Sequence, residues 1–358
     1  MKKLLLCLLF LGTSYLLPAK SIVCHVSGTS KDLDGPLQIL PYESIIHDSP
    51  AIRTVEIGKD GSFSFTFEAN TAEPCKAIMW HHGVTVLCYF FPEKEVRLVF
   101  DGLTRPQVNC KSKNNRQYQA IHDEAVKWQK EQSLNSVQQM EQRVEYLGSH
   151  PTLASFFDLV EQTSRLNSFI KRSKNGNDYL QVLEALTDLY DTVYSKKFSG
   201  HPLHEIMAEL KSNAEMLAGK SHYVDFTLPD VDGVNHTLSE LIAGKIAVVD
   251  LWASWCSGCR RHSKALIPLY EKYKDMGFTV VGVARELKDD IAWRKALEKD
   301  GYPWVNLLAM EPDHWVWSKY GVPTGGGGVF LVSRDGIVVA VNPSVEEIEE
   351  YLRENLNE

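Results

Sequence analysis

Two cysteines three residues apart, Cys256 and Cys259, are the residues of this sequence best suited to chemistry. They follow a continuous apolar run at residues 246–251, which predicts a buried strand that turns into a helix beginning at the first cysteine. Free backbone N–H groups and the positive end of the helix dipole stabilise a thiolate at that position. The pattern therefore predicts thiol–disulfide exchange, in which Cys256 attacks and Cys259 resolves the mixed disulfide.

Metal and haem sites are poorer interpretations of the same pair. A structural zinc site needs four ligands, and the sequence has no second CxxC or matched Cys/His pair. A c-type haem site needs histidine directly after the second cysteine, where this chain has Arg260. We therefore expect no metal and no cofactor. A structural disulfide in a non-catalytic envelope binding or scaffold protein stays open as an alternative.

Strands and helices alternate from about residue 222 onward, which predicts an α/β layer fold for this part of the chain. The last helix carries a capping box, with Ser344 as N-cap and Glu347 three residues later. The expected strands are 246–251, 278–283, 329–332 and 337–341, and the expected helices are 256–273, 290–299 and the one after Ser344.

The first hundred residues are patterned as short strands separated by turns. Phe63, Phe65 and Phe67 alternate with polar residues, so that one face of their strand enters a core. Asp60 and Gly61 predict a hairpin that joins strand 52–57 to strand 62–67. About seven such strands indicate a small antiparallel sandwich or barrel. Between residues 115 and 217 the apolar spacing changes to three and four, which predicts about four helices.

The amino terminus resembles an export signal. Lys2 and Lys3 precede an apolar stretch at residues 4–11, and small residues follow up to a cut near Ala19. The run is too short to span a bilayer, so we expect no integral membrane span. The predicted domains are a signal peptide at 1–19, a β-rich domain at 20–110, a helical connector at 111–218 and an α/β domain at 219–358.

Export places the remaining cysteines in the periplasm or cell envelope, where disulfides persist. Cys24, Cys75, Cys88 and Cys110 allow three connectivities, and the sequence does not choose among them. A turn centred on residues 82 and 83 would set Cys75 opposite Phe90, and a turn shifted by one residue would set Cys75 opposite Cys88. The net charge is −8, with 38 basic and 46 acidic residues. Binding to nucleic acid through charge is therefore not expected.

The α/β part resembles the TlpA/ResA-like branch of the thioredoxin family. The matching stretches are 225–230, Gly233, 238–241, 244–245 and 252–256, with later landmarks at 320–322, 329–332 and 335–336. The first 110 residues are similar to the β-rich domain often found before such thioredoxins in exported envelope proteins.

This resemblance implies a thioredoxin-like fold and roles for further residues. Asp250 resembles the buried acid that accepts and returns the proton of the resolving cysteine. Trp255 resembles the aromatic residue that offers a flat surface to a polypeptide. The implied partners are protein clients with thiols or disulfides and an upstream dithiol electron donor.

The sequence departs from this family at two places that bear on the site. His262 stands where the family usually has glutamate, which makes it a candidate for proton handling. The family's cis-proline faces the cysteines, and its expected position holds Gly327, preceded by Gly326. Either glycine replaces that proline, which we favour, or Pro323 serves instead.

A thiol peroxidase is the remaining catalytic alternative. The segment before the cysteines also resembles peroxiredoxins. Those proteins have threonine three residues before the peroxidatic cysteine, and Ala253 occupies that position here. We therefore favour an exported thiol–disulfide oxidoreductase over a peroxidase.

Overall fold

The computed structural model describes residues 21–33, 35–46, 49–81, 83–102, 106–131, 133–172, 176–310, 315–322 and 326–356. The signal segment expected at 1–19 and the alternative residue Pro323 lie outside these ranges. The chain divides into two compact units. The first contains residues up to Arg165 and Glu184–Met207, and the second contains Leu166–Leu183 and Ala208–Glu358.

The first unit opens with two four-stranded sheets that share one apolar core. One sheet has the order β4-β1-β7-β8 and the other the order β3-β2-β5-β6. The strands are β1 Ser21–Lys31, β2 Leu37–Pro41, β3 Arg53–Val55, β4 Ser62–Asn70, β5 Cys75–His81, β6 Val84–Phe90, β7 Glu95–Asp101 and β8 Gln107–Asn109.

The prediction that Asp60 and Gly61 join two paired strands in a hairpin is wrong. The turn is present, because Gly61 has a φ of 78° and the Ser62 N–H donates to Asp60 Oδ1. However, β3 pairs with β2, whereas β4 pairs with β1 in the other sheet. The turn therefore carries the chain between sheets, because the alternating phenylalanines of β4 pack into the core beside β1.

The sheets are also not purely antiparallel, since β1 and β7 run parallel. Parallel neighbours need a long connection, and five strands separate these two along the chain. Cys75 lies opposite Phe90 and Cys88 opposite Ala77, so that the first of the two registers left open for the β5–β6 hairpin is the one observed. Cys24, Cys75, Cys88 and Cys110 form no disulfide in the described part of the chain.

Helices occupy most of residues 113–217, as the apolar spacing predicts. They are divided between the two compact units, and the predicted domain boundaries stay a prediction. The helices are α1 Lys113–Lys130, α2 Ser136–Ser149, α3 Leu153–Arg172, α4 Leu180–Leu189, α5 Ser195–Lys197 and α6 Leu203–Leu217, with a 3-10 turn at Gly176–Tyr179 and a π-helical turn at Tyr190–Tyr194.

The second unit is built on a five-stranded sheet with the order β13-β12-β11-β14-β15. Strands β11, β12 and β13 are parallel, and β14 and β15 are antiparallel to their neighbours. The elements are β9 Thr227–Pro229, β10 Asn235–Thr237, α7 Leu238–Ile242, β11 Ile246–Trp252, α8 Ser257–Tyr273, β12 Phe278–Arg285, α9 Ile291–Asp300, β13 Val305–Ala309, α10 Trp315–Lys319, β14 Gly328–Val332, β15 Val338–Val341 and α11 Val345–Asn355.

Strand β11 is the centre of this unit, and all seven of its residues are buried. Val249 and Leu251 pack into the core on one face of the sheet. Ile246 and Val248 pack on the other face, against α8 and α11. Because side chains alternate along a strand, Asp250 belongs to the α8 face. In the ranges described, no helix is both long enough and apolar enough to cross a bilayer.

Candidate functional site

The two cysteines lie where β11 ends and α8 begins. Cys256 is the N-cap of α8, and Cys256 and Cys259 form a disulfide of 2.02 Å with both residues half-buried. The backbone N–H of Cys259 donates to Cys256 Sγ across 3.2 Å. This N–H is one of the unpaired donors of the first helical turn. A Cys256 thiolate would therefore be stabilised by the helix start, at a residue that is half-buried and not enclosed.

Asp250 is a buried carboxyl group on the same side of the sheet as α8. It is 2% exposed, and it accepts a hydrogen bond of 2.5 Å from the Ser263 hydroxyl. Burial raises the pKa of Asp250 from 3.8 to about 7, although the Ser263 bond opposes this rise. A group with this pKa can gain and lose a proton near neutral pH.

Gly327 lies against Cys259. A Cβ atom added to Gly327 would lie 2.7 Å from Cys259 Sγ and would also overlap the Leu251 carbonyl oxygen. Gly326, by contrast, has open space around its Cα. Gly326 and Gly327 border a cavity of about 640 Å³ within the second unit, whose lining also includes Lys171. Of these two glycines, Gly327 is thus the one whose backbone lies against the dithiol.

Trp255 and His262 have different surroundings. Trp255 is 46% exposed beside the disulfide, which leaves its ring available to another polypeptide. His262 is half-buried, and its Nε2 lies 3.3 Å from the Pro343 carbonyl oxygen. Burial lowers the pKa of His262 below 6.5, which favours the neutral ring at pH 7. The structure thus brings Trp255 to the dithiol and joins His262 to the segment before α11.

Ser263 is a site residue that the sequence analysis missed. It lies on the buried face of α8, 1% exposed, and its hydroxyl also reaches the Cys259 carbonyl oxygen at 3.0 Å. A hydroxyl residue one turn after a cysteine, on a helix face whose later members Leu266 and Leu269 are buried, is the signal that could have found it. Its partner Asp250 lies 13 residues earlier.

Two charged residues, Glu286 and Arg260, hold the loop before Cys256 by hydrogen bonds. Both carboxylate oxygens of Glu286, at the end of β12, accept hydrogen bonds of 2.8 Å from the N–H and hydroxyl of Ser254. Arg260 donates to the Ser254 carbonyl oxygen and binds Asp300 through two nitrogens. These contacts fix the turn that presents Cys256, and no local sequence motif indicated them.

The first unit contains a separate cluster of buried charged groups. Asp158 binds Arg143 through two hydrogen bonds, and Glu161 accepts a bond of 2.7 Å from Tyr118. His122 lies near both carboxylates, close enough for these three groups to hold a metal ion together. The carboxylates are already engaged by a guanidinium and a phenol, so this cluster fits a structural ion pair better than a metal site.

Comparisons with known proteins match the second unit. Residues 220–341 match the model of the AhpC/TSA family. The chain is 31% identical over 119 residues to the thiol:disulfide interchange protein DsbE of Allochromatium vinosum, which covers 32% of this chain and 60% of that protein. It is 27% identical over 135 residues to the thiol–disulfide oxidoreductase ResA of Bacillus thuringiensis, covering 36% of this chain and 73% of that protein.

Two other similarities complete the comparison. Peroxiredoxin Q of Suaeda salsa is 29% identical over 137 residues, covering 37% of this chain and 62% of that protein. The solved thioredoxin domain of a thiol–disulfide oxidoreductase from Bacteroides vulgatus is 28% identical, with a TM-score of 0.36. It covers 38% of this chain and 96% of that domain.

The sheet order and the position of the dithiol define a domain of the thioredoxin-like fold class, with the CxxC following the central strand. Most of the second unit matches the AhpC/TSA family model, and the relatives similar to it include thiol–disulfide oxidoreductases and a peroxiredoxin. The preceding sheet-rich region is separate from it, and helices follow that region. The chain spans about 60% of the length of the DsbE protein it matches.

Proposed function

We propose that this chain is an exported thiol–disulfide oxidoreductase that exchanges disulfides with protein clients through Cys256 and Cys259. One observation carries the proposal. Cys256 is half-buried, its sulfur caps the first turn of α8, and it is bonded to Cys259, which lies one turn further along the helix and is also half-buried. This geometry lowers the pKa of the outer thiol and raises its reactivity at neutral pH.

The reaction follows from this arrangement. In the reducing direction, the Cys256 thiolate attacks one sulfur of a client disulfide and displaces the other as a thiolate. The Cys259 thiol then loses its proton and attacks Cys256 Sγ. This second attack releases the client as a dithiol and leaves the Cys256–Cys259 disulfide. The opposite direction, oxidation of a client, passes through the same mixed disulfide.

We assign the proton transfer to Asp250. Its carboxyl group is buried on the α8 side of β11, and one hydroxyl group, that of Ser263, connects it to the backbone of Cys259. The carboxylate accepts the Cys259 proton during the second attack and returns it when the disulfide is reopened. A pKa of about 7 suits both steps at neutral pH.

Client binding is assigned to the surface around the dithiol. Trp255 offers an exposed aromatic face, Gly326 has open space around its Cα, and Gly327 brings its backbone against Cys259. A cis-proline is not required for this role at position 327, because a glycine already brings its backbone against Cys259. An upstream dithiol protein would restore the reduced pair. Export to the periplasm or envelope rests on the signal-like segment at residues 1–19.

The proposal is tested by disulfide reduction with the purified full chain. Insulin serves as the model client and dithiothreitol as the electron source. We expect Cys256→Ser to abolish the catalysed reduction. The control Cys110→Ser should keep it, because Cys110 is half-buried and burial raises its pKa to about 12. Equal rates for the wild type and Cys256→Ser would refute the proposal and favour a structural disulfide in a binding protein.

A thiol peroxidase is the second candidate, because the matched family model and the peroxiredoxin Q similarity point to it. Ala253 stands where a peroxiredoxin has threonine. The same preparations, supplied with hydrogen peroxide instead of insulin, separate the two activities. Faster consumption of peroxide than of insulin disulfides, lost in Cys256→Ser, would favour the peroxidase.

A further inference from the structure

Ser263 occupies the space between the proposed proton acceptor and the resolving cysteine. Its hydroxyl oxygen lies 2.5 Å from Asp250 Oδ2 and 3.0 Å from the Cys259 carbonyl oxygen. The residue is 1% exposed, so bulk water does not replace either contact. A serine hydroxyl has one hydrogen to donate and two lone pairs to accept with. It can therefore donate to only one of these two oxygens at a time.

This limit makes the direction of the hydroxyl depend on the charge of Asp250. When Asp250 is ionised, the hydroxyl donates to the carboxylate, which is the stronger, charge-assisted bond. When Asp250 is protonated, its own O–H donates to Ser263 Oγ, and the serine hydrogen turns to the Cys259 carbonyl oxygen. The buried carboxyl thus has a partner in both states, and an unsatisfied buried charge is avoided.

The other groups around Asp250 do not supply this bond. On the sheet, its neighbours in register are Gly282 and Val329, which have no titratable side chain. From the segment after α9, the Tyr302 phenol donates to Asp300 across 3.0 Å, and its oxygen also lies within hydrogen-bonding reach of the Ser263 hydroxyl. Because the phenol hydrogen is engaged by the Asp300 carboxylate, Tyr302 does not donate to Asp250 in place of Ser263.

Beyond Tyr302 lies an ion cluster. Asp300 is bound by Arg260 at 2.6 Å and by Lys264 at 2.8 Å, and these partners hold its pKa well below its usual range. Asp300 therefore stays charged and paired across the neutral pH range. On α8, the Ser263 hydroxyl contacts Asp250, and the same hydroxyl contacts the Cys259 carbonyl oxygen.

We infer that Ser263 is a positioning residue, which holds the Asp250 carboxyl by a hydrogen bond in both protonation states while that carboxyl exchanges a proton with Cys259. The inference rests on the proposed function. The proton balance is closed within the site: Cys259 Sγ–H gives its proton to Asp250, the Cys259 sulfur bonds to Cys256 Sγ, and the client sulfur leaves. Ser263 reorients its O–H without gaining or losing a proton.

The first test measures the acidity of the carboxyl without any catalysis. Carbon-13 NMR of aspartate-labelled, oxidised full chain follows Asp250, which is assigned by the signal that Asp250→Asn removes. We expect Ser263→Ala to move the titration midpoint upward by about one pH unit, because the ionised form loses its donor. Ser263→Thr, which keeps the hydroxyl, should restore the wild-type midpoint. An unchanged midpoint in Ser263→Ala would overturn the inference.

The second test measures the resolving step by stopped flow, as the second client thiol is released from reduced protein at different pH. The midpoint of this profile should rise by about one pH unit in Ser263→Ala. At pH 7 the ionised fraction of Asp250 would fall from about one half to about one tenth, a decrease of about fivefold in rate. Thr163→Val is the matched control, since Thr163 is a buried helical hydroxyl bonded to a carbonyl four residues earlier.

The two tests distinguish a failure of the proposed function from a failure of the positioning role of Ser263. If the wild type performs no exchange that depends on Cys256, the proposed function fails and the role of Ser263 in it fails too. If exchange occurs and Ser263→Ala has the wild-type pH profile, only the positioning role is overturned. A uniform rate loss at every pH, shared by Thr163→Val, would also overturn it, because that is the effect of general destabilisation.

Discussion

Replacing Asp250 by asparagine should stabilise the second unit, and more so as the pH rises. The asparagine would keep the shape of the side chain and a carbonyl oxygen for the Ser263 hydroxyl, so the substitution removes the charge alone. In the folded chain, burial raises the pKa of Asp250 to about 7, against an unperturbed value of 3.8. Folding therefore favours the protonated acid, and the ionised form opposes folding.

The magnitude follows from these two values. Because the folded state binds this proton more tightly, the stability present below pH 3.8 is progressively lost as the pH rises through 7. At about 1.4 kcal/mol per unit of pKa difference, the raised pKa costs about 2 kcal/mol at pH 5, where folding must protonate the carboxyl, and about 4 kcal/mol at pH 8, where the folded carboxyl is mostly ionised. Asp250→Asn should remove this cost and thus gain about 2 kcal/mol more at pH 8 than at pH 5.

The assay must report on the second unit within the whole chain. Urea titrations followed by pulsed hydrogen exchange, with mass spectrometry of the peptide that contains β11, give its free energy of unfolding at each pH. The exposed Asp275 offers a matched control, because Asp275→Asn removes a charge in the same unit without changing a buried group. An equal stability difference at both pH values, or a variant less stable than wild type at pH 8, would refute the reasoning.

Two further substitutions test the packing within each unit. Gly327→Ala should lower the stability of the oxidised second unit by about 1–3 kcal/mol, because its methyl group has no space beside the disulfide; the same urea assay checks this, with Gly326→Ala as a near-neutral control. Arg143→Met should destabilise the first unit by about 3–5 kcal/mol, because it leaves the Asp158 carboxylate buried without its guanidinium partner. Pulsed exchange of peptides from α3 would measure that loss, and a change below about 0.5 kcal/mol would contradict it.

The central part of the site follows from the sequence because it depends on local patterns. A buried apolar strand, a short turn and a CxxC at a helix start occur within 28 residues, from Ile246 to Tyr273. The capping box at Ser344 is equally local, and the structure confirms both of its hydrogen bonds. Such features are set by neighbours along the chain, which sequence patterns describe well.

The contacts that tune the site could not be predicted because their partners are distant along the chain. Ser263 and Asp250 meet only when α8 packs on β11, and Glu286 reaches Ser254 from the end of the neighbouring strand. The prediction of a hairpin at Asp60 was wrong for a related reason. Turn chemistry fixes where the chain bends, but core packing decides which sheet each strand joins.

The short strand β13 was also not among the strands predicted from the sequence. Its residues Val305–Ala309 follow a helix and a Gly-Tyr-Pro segment, and only five residues carry the pattern. A run this short does not separate a strand from an irregular segment by periodicity alone. Its pairing with β12 supplies the parallel edge of the sheet beside the site.

The pKa of the Cys256 thiol in the reduced full chain is the measurement that tests the central claim most directly. Alkylation by iodoacetamide across pH, with the labelled cysteine located by mass spectrometry, gives this value. Burial raises the pKa of Cys24 to about 11 and that of Cys110 to about 12, so these thiols should stay unlabelled near neutral pH. The account predicts that Cys256 reacts first, with a midpoint below about 8.5. Prior labelling of Cys259, or a Cys256 midpoint at or above that value, would contradict it.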